Sequence, residues 1–384
     1  MPGFTERVLT WLDERYKLKG VLEPFLKHPV PSHALNPLFR LGWIAFTCFV
    51  IQIVTGIFLG LYYKPTTAEA YNSIKFIVLQ VPLGSLIRSI HAWSANIMIA
   101  AVMLHLIHNY FNGAYKEKRE LTWVVGSLLL FVTLATGFSG YLLPWDQLAY
   151  WATTIGLNIA GSIPLIGIII QQILQGGPEI GPATLTRFYI LHTVLLPGIL
   201  ALLIGLHVSM FLRQGVSGPF KEEVRRAKIS GSLIEEQVEE KKIIKGEPFF
   251  PHFVLREAVV ISLVIAAIIF LATYFPTSLL EPADPFTTPS PLFPEWYFLP
   301  VYGWLKWMST DNFPWLGSIL PKLLGVLVPL VLALTLIIFP FIDREKERHP
   351  LRRRIGTPLG IAAIVLAIYF SYYAIEVTLL HAAK

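Results

Sequence analysis

His91, His105, His192 and His207 are the residues of this chain best placed to do chemistry. His91 and His105 stand 14 residues apart, and His192 and His207 stand 15 apart. All four lie inside long apolar runs, where an ionisable side chain is costly and implies a partner or a role. At 1.5 Å per residue the first pair spans about 21 Å of helix axis and the second about 22.5 Å. At about 100° per residue, the members of each pair stay within about 40° and 60° of one helix face. His108 falls about 100° away from His91, so His105 is the better partner. Two helices running in the same direction would then set His91 level with His192, and His105 level with His207. Two facing imidazoles are an axial ligand set for a six-coordinate haem iron. Two such levels give two irons about 20 Å apart, a spacing that suits electron transfer across a membrane. A proton relay is the competing use of membrane histidines, but neither run carries a carboxylate along its length. The other six histidines (His28, His33, His108, His252, His349 and His381) fall in loops or at helix ends.

Glycines repeat the same interval. Gly42 and Gly56 are 14 residues apart in one apolar run, and Gly126 and Gly140 are 14 apart in another. A glycine lets a flat macrocycle approach the backbone. Tight packing of helices through small residues is the alternative use, but the match to the histidine interval favours the first. Arg88 lies one turn before His91, where a guanidinium could pair with haem propionates.

The elements that must position these residues are membrane helices. The chain has 384 residues, 54% hydrophobic and 15% charged, with 13% aromatics and ten Trp. Soluble domains carry about 25% charged residues, and abundant Trp suits two membrane interfaces. About 20 apolar residues cross a bilayer, which predicts seven spans at 38–62, 86–111, 122–143, 184–212, 254–275, 319–341 and 356–378. The stretch 145–174, broken by Gly161, Pro164 and Gly167, reads as short interfacial helices. Residues 5–19 place Val8, Leu9, Leu12 and Tyr16 on one face of an amphipathic surface helix. With the N-terminus inside, 24 of the 31 Lys and Arg fall on the cytoplasmic side, a strong positive-inside bias that puts the C-terminus outside. That distribution accounts for the net charge of +6 through membrane lipid rather than nucleic acid. A single cysteine, Cys48, excludes an intrachain disulfide framework or a multi-cysteine metal site. The start of the sequence shows no apolar signal segment.

The fold class expected is all-α transmembrane: a four-helix haem-binding bundle followed by three further transmembrane helices. Residues 1–213 form the di-haem part, 214–252 a polar linker of loop and a short exposed helix, and 253–384 the three-helix part.

With these residues in hand, the chain resembles cytochrome b of the Rieske/cytochrome bc complexes. R-S-I-H at 88–91, the four histidines, the four glycines, G-Y-L-L-P-W-D-Q at 140–147 and P-E-W-Y-F-L-P at 294–300 carry the resemblance. The 15-residue interval, T-L-T-R-F-Y at 184–189 and three final helices point to the photosynthetic branch, whose two polypeptides are here fused. That branch attaches an extra haem through a cysteine where this chain has Arg40, and Cys48 lies two turns deeper, which argues against a covalent third haem.

The resemblance implies an oxidoreductase of an electron-transport chain. It binds two b-type haems, oxidises quinol at the outer side and reduces quinone at the inner side, with proton translocation. Its partners would be a Rieske iron–sulfur protein and a c-type cytochrome, since the chain has no cysteine set or C-x-x-C-H of its own, and it would form a homodimer. Glu295 would accept a quinol proton, with Pro294, Trp296, Tyr297 and Tyr302 around it. Phe138 and Tyr141 could stack on or bond a quinone ring, and Arg213 is a candidate at the inner site. Asp146 reads as a cap of an interfacial helix. A di-haem membrane anchor of a dehydrogenase or hydrogenase is the alternative, and it would lack the P-E-W-Y loop.

Overall fold

A computed structural model describes residues 3–17, 29–30, 35–218, 220, 229, 233–236, 241–244, 247–309 and 311–382. His28 and His33 lie outside the described residues. Among the described residues the chain is nearly all helical, with seven helices long and apolar enough to cross a membrane. In chain order the helices are α1 (Phe4–Tyr16), α2 (Leu41–Gly60), α3 (Ala70–Leu79), α4 (Gly84–Phe111), α5 (Glu120–Tyr141), α6 (Gln147–Gly161) and α7 (Gly167–Gln175). They continue with α8 (Pro182–Gln214), α9 (Val254–Tyr274), α10 (Leu299–Trp307), α11 (Leu320–Ile342) and α12 (Gly356–Ala382). The spanning helices are α2, α4, α5, α8, α9, α11 and α12. Each is apolar almost all round, as lipid-facing or deeply packed helices must be. The interfacial helices α6 and α7 occur where the glycines and prolines broke the apolar run. Helix α3 was missed, because its ten residues are too short to span.

Helix α8 is not a uniform helix. Residues Leu191–Leu195 form a π-helical turn that contains His192. Pro197 follows it. A proline has no N–H for the carbonyl of residue 193, and its ring crowds that carbonyl, so the helix widens locally.

The linker departs from the expected short helix. Among its described residues, β2 (Leu233–Glu236) pairs antiparallel with β3 (Lys241–Ile244). The register sets Leu233 opposite Ile244 and Glu236 opposite Lys241. A second short pair joins β1 (Pro29–Val30) to β4 (Glu247–Pro248).

The chain divides into two compact units, Met1–Ile44 with Val216–Ala267, and Ala45–Gly215 with Ile268–Lys384. In the first, Arg40 Nε donates to Glu257 Oε1 at 2.6 Å, both side chains being 11% exposed. Arg40 Nη2 and Glu257 Oε2 are buried without partners. Removing one member strands the other charge, so Glu257→Ala is expected to cost about 3–5 kcal/mol. Thermal unfolding of the purified chain reads this; a midpoint equal to wild type contradicts it.

The second unit has a buried cluster at each end of α5. Ala70, Leu142, Leu157, Leu185 and Phe188 pack around its C-terminal end. Tyr110, Tyr115, Trp123 and Phe339 pack around its N-terminal end. The histidines lie between these two plugs.

Candidate functional site

His91 on α4 and His192 on α8 face each other, with ring centres 6.2 Å apart and planes at 72°. Two metal–imidazole bonds of about 2 Å, with the rings' own radii, span about 6 Å. The gap would therefore admit one metal ion held by both rings.

The hydrogen bonds fix which nitrogen each ring offers. Thr55 Oγ1 donates to the Ile51 carbonyl at 2.6 Å, so at 2.8 Å from His91 Nδ1 it acts as acceptor. His192 Nδ1 lies 2.9 Å from the Thr136 carbonyl oxygen, which can only accept. In both rings the proton sits on Nδ1, and the Nε2 lone pair is free for a metal.

The second level is less settled in hydrogen bonding. His105 Nε2 lies 3.1 Å from Asn109 Nδ2. That nitrogen is the amide's donor end, because it also donates to the His105 carbonyl at 2.8 Å. His105 Nδ1 is buried without a partner. His207 lies beside the Thr122 backbone without a closed hydrogen bond at Nδ1. His105 could hold a metal through Nε2 only by giving up this neutral hydrogen bond, worth about 0.5–1.5 kcal/mol net.

The π-helical turn explains the unequal histidine intervals. It takes up one extra residue, so the 15-residue step on α8 becomes equivalent to the 14-residue step on α4. Helix α5 repeats at the same 14 residues. Thr136 serves His192 as Thr122 neighbours His207, each followed four residues later by a glycine, Gly140 or Gly126. This Thr-x-x-x-Gly repeat was legible in the sequence and was passed over.

The glycines meet the histidine rings directly. A Cβ added at Gly140 would lie 2.4 Å from His192 Cε1; at Gly126, 3.2 Å from His207 Cε1; at Gly56, 3.4 Å from His91 Cε1. These residues form a cradle that a methyl group at Gly140 would fill. Gly42 lies on α2, fourteen residues before Gly56. The donor set is a pair of histidines per level, and among the described residues no three His, Cys, Asp or Glu side chains converge. A porphyrin supplies its own four equatorial nitrogens, so the residues present fit a haem.

Arg88 is buried, and its guanidinium donates to the carbonyls of Thr277 at 2.8 Å and Ser278 at 3.0 Å. It clamps the segment that follows α9.

That segment leads to the P-E-W-Y stretch. Residues Trp296–Phe298 form a 3-10 turn leading into α10. Trp296 Nε1 donates to Asn96 Oδ1 on α4 at 2.7 Å. The Tyr297 hydroxyl reaches α5 where Gly137 leaves room, 2.9 Å from where a Cβ would stand. Phe298 packs on Tyr297 and edge-on to Phe138, at 4.7 and 6.2 Å between ring centres. The carboxyl of Glu295, removed from water, is pushed above its ordinary value; burial first, and then the neighbouring Glu295, raise the Tyr297 phenol as well. Tyr141 also lies close to Glu295. Glu295, Tyr297, Tyr141, Phe138 and Phe298 are thus brought together. Tyr302 donates to the Leu292 carbonyl at 3.4 Å and carries Lys306 over its ring at 5.0 Å. Arg213 is exposed at the end of α8.

Asp146 does more than cap α6. Its Oδ1 accepts from Ala149 N at 2.9 Å, as expected, but its Oδ2 also accepts from Leu280 N at 3.4 Å. Gln147 N donates to the Glu281 carbonyl at 2.9 Å, and Ala283 N to the Trp145 carbonyl at 3.1 Å. The P-W-D-Q turn and the loop after α9 are sewn together, which holds the P-E-W-Y stretch against α5. No local sequence signal pairs residues so far apart.

Comparison with known proteins bears on this site. The family described as Cytochrome b/b6/petB matches residues 25–215, and that described as Cytochrome b(C-terminal)/b6/petD matches residues 282–379. The cytochrome bc complex cytochrome b subunit of Chlorobaculum thiosulfatiphilum is 36% identical over 371 residues, 96% of this chain and 80% of the relative. Cytochrome b6 of Synechococcus elongatus is 46% identical over 213 residues, 56% of this chain and 99% of that protein. Among solved structures, a chain of a hyperthermophilic respiratory Complex III matches with a TM-score of 0.75 at 29% identity, covering 96% of each chain.

Proposed function

Since this chain belongs to the cytochrome b/b6 family and carries both family parts in one polypeptide, we propose that it is the quinol-oxidising, di-haem subunit of a bc-type complex. One observation carries the reading most: the paired rings of His91 and His192, each with its proton held on Nδ1 and Nε2 turned free. Residues 1–213 would be the di-haem part, 214–252 a cytoplasmic linker and 253–384 the part bearing the quinol loop. His91 and His192 would hold the outer b haem, and His105 and His207 the inner one. When bound, the haems supply one-electron carriers across the membrane. Gly56, Gly126 and Gly140 leave room beside the ligand rings, and Gly42 repeats their 14-residue interval in the sequence. Arg88 keeps three of its five N–H donors for a propionate.

At the outer side, Glu295 takes a proton from quinol, aided by its raised basicity. Tyr297, Phe138 and Tyr141 shape the pocket, and Tyr302 steadies the loop. Arg213, exposed at the end of α8, would be a candidate at the inner quinone site. The reading requires a Rieske protein and a c-type cytochrome as acceptors, and a homodimer of the complex. Arg40, buried against Glu257, and the fully buried Cys48 argue for b haems without covalent attachment. A di-haem anchor of a dehydrogenase would share the haems, but Glu295 and its aromatic surround favour quinol oxidation.

The test is a dithionite-reduced minus oxidised spectrum with pyridine-haem quantitation, on wild type and His105→Ala. Two b haems per chain are expected, falling towards one in the variant. No haem, or a count unchanged by the substitution, overturns the assignment.

A further inference from the structure

The two histidine levels are not supplied alike. At the His91/His192 level each ring Nδ1 has an acceptor at close range, the Thr55 hydroxyl oxygen at 2.8 Å and the Thr136 carbonyl oxygen at 2.9 Å. At the other level, among the described residues, His105 Nδ1 and His207 Nδ1 are both buried without a hydrogen-bond partner. Helix α5 treats the levels similarly, with the Thr122 backbone beside His207 as Thr136 is beside His192. Helix α2 does not. Fourteen residues before Thr55 stands Leu41, whose side chain has no acceptor.

Thr55 is set up to accept. It is 7% exposed, and its own proton goes to the Ile51 carbonyl at 2.6 Å, one turn back on α2. The hydroxyl oxygen is left to His91. A hydroxyl that also donates is a stronger acceptor, because hydrogen bonds in a chain polarise one another. The same turn of α2 holds the other end of the residue, since Gln52 Nε2 donates to the His91 carbonyl. Ring and backbone of His91 are thus both tied to α2. An imidazole whose Nδ1–H is hydrogen-bonded is a more basic ligand at Nε2. An electron-rich axial ligand stabilises oxidised iron more than reduced iron, which lowers the reduction potential.

We propose that Thr55 is a positioning residue that acts through His91 to lower the reduction potential of the haem held by His91 and His192. This role rests on the haem assignment proposed above and adds to it. With no counterpart at the His105/His207 level, the effect is confined to one of the two haems. The level that Thr55 serves gives up an electron more readily than it would without the hydroxyl.

The test is equilibrium potentiometry of the b-haem absorbance in the purified full chain, for wild type, Thr55→Val, Thr55→Cys and Thr55→Ser, each with its pyridine-haem count. Valine keeps the shape and removes the acceptor, cysteine offers a weak one, and serine restores the hydroxyl. Losing one neutral hydrogen bond shifts an equilibrium about two- to ten-fold, which is about 20–60 mV for a one-electron couple. In Thr55→Val one potential should rise by that amount while the other stays, with two haems retained. Thr55→Cys should fall between, and Thr55→Ser should match wild type. In the His105→Ala background the remaining potential should be the one that moves. Two unchanged potentials in Thr55→Val overturn the proposal, as does an equal shift of both. A serine shift as large as that of valine also overturns it, because packing and not the hydroxyl would then be the cause. If valine empties the site, the cysteine and serine variants decide, since the potential must still follow acceptor strength. A wild-type chain without haem would instead sink the haem assignment, which the haem count reveals before any potential is compared.

Discussion

Glu295→Gln is expected to lower quinol-driven cytochrome c reduction by the whole complex about 10²–10⁴-fold, the usual worth of a positioned general base, with both haems retained. Glutamine keeps the shape and removes the basic oxygen. The carboxyl sits in an aromatic surround, and burial raises it above a solvated glutamate. The sign of the pH effect follows. The base is the deprotonated form, so the rate should rise with pH as Glu295 loses its proton. Because the group is raised, that limb lies at higher pH than an exposed glutamate would give. The limb should vanish in Glu295→Gln. A variant within a few-fold of wild type, with the same pH limb, would remove Glu295 from the proton path. Trp296→Phe serves as a companion. It removes the bond to Asn96 while keeping an aromatic ring beside Tyr297, and a smaller loss there separates loop positioning from proton acceptance.

The second large effect contrasts two glycines. At Gly140 an added Cβ would stand 2.4 Å from His192 Cε1, and at Gly56 it would stand 3.4 Å from His91 Cε1. The first is an impossible contact and the second an ordinary one. The His192 ring cannot yield freely, because Nδ1 is tethered to Thr136. Overpacking of this kind costs about 1–3 kcal/mol, and here the strain falls on a proposed ligand. Gly140→Ala should therefore lower the haem count from two towards one, while Gly56→Ala keeps both. The difference spectrum reads both variants directly. Full occupancy in Gly140→Ala would show that the helix shifts to absorb the methyl group, and that the cradle does not govern ligation.

The number and order of the spanning helices followed from the sequence alone. Bilayer thickness sets a length of apolar run that few other constraints produce, so the predicted bounds fall within about five residues of those found. The candidate ligands followed as well, because a histidine inside such a run has few other reasons to be there.

Tertiary structure decided the rest. The 15-residue step between His192 and His207 matches the 14-residue step on α4 only because a π-helical turn just before Pro197 absorbs one residue, a widening that the residue interval alone does not announce. The protonated nitrogen of each ring was set by Thr55 and the Thr136 carbonyl, which come from other helices. Arg88 found backbone carbonyls nearly 190 residues away, and Asp146 found Leu280. Local pattern reports what a residue can offer over one or two turns of helix. Which partner accepts the offer is settled by non-local contacts, and the loop that carries Glu295 is held in place almost entirely by such contacts.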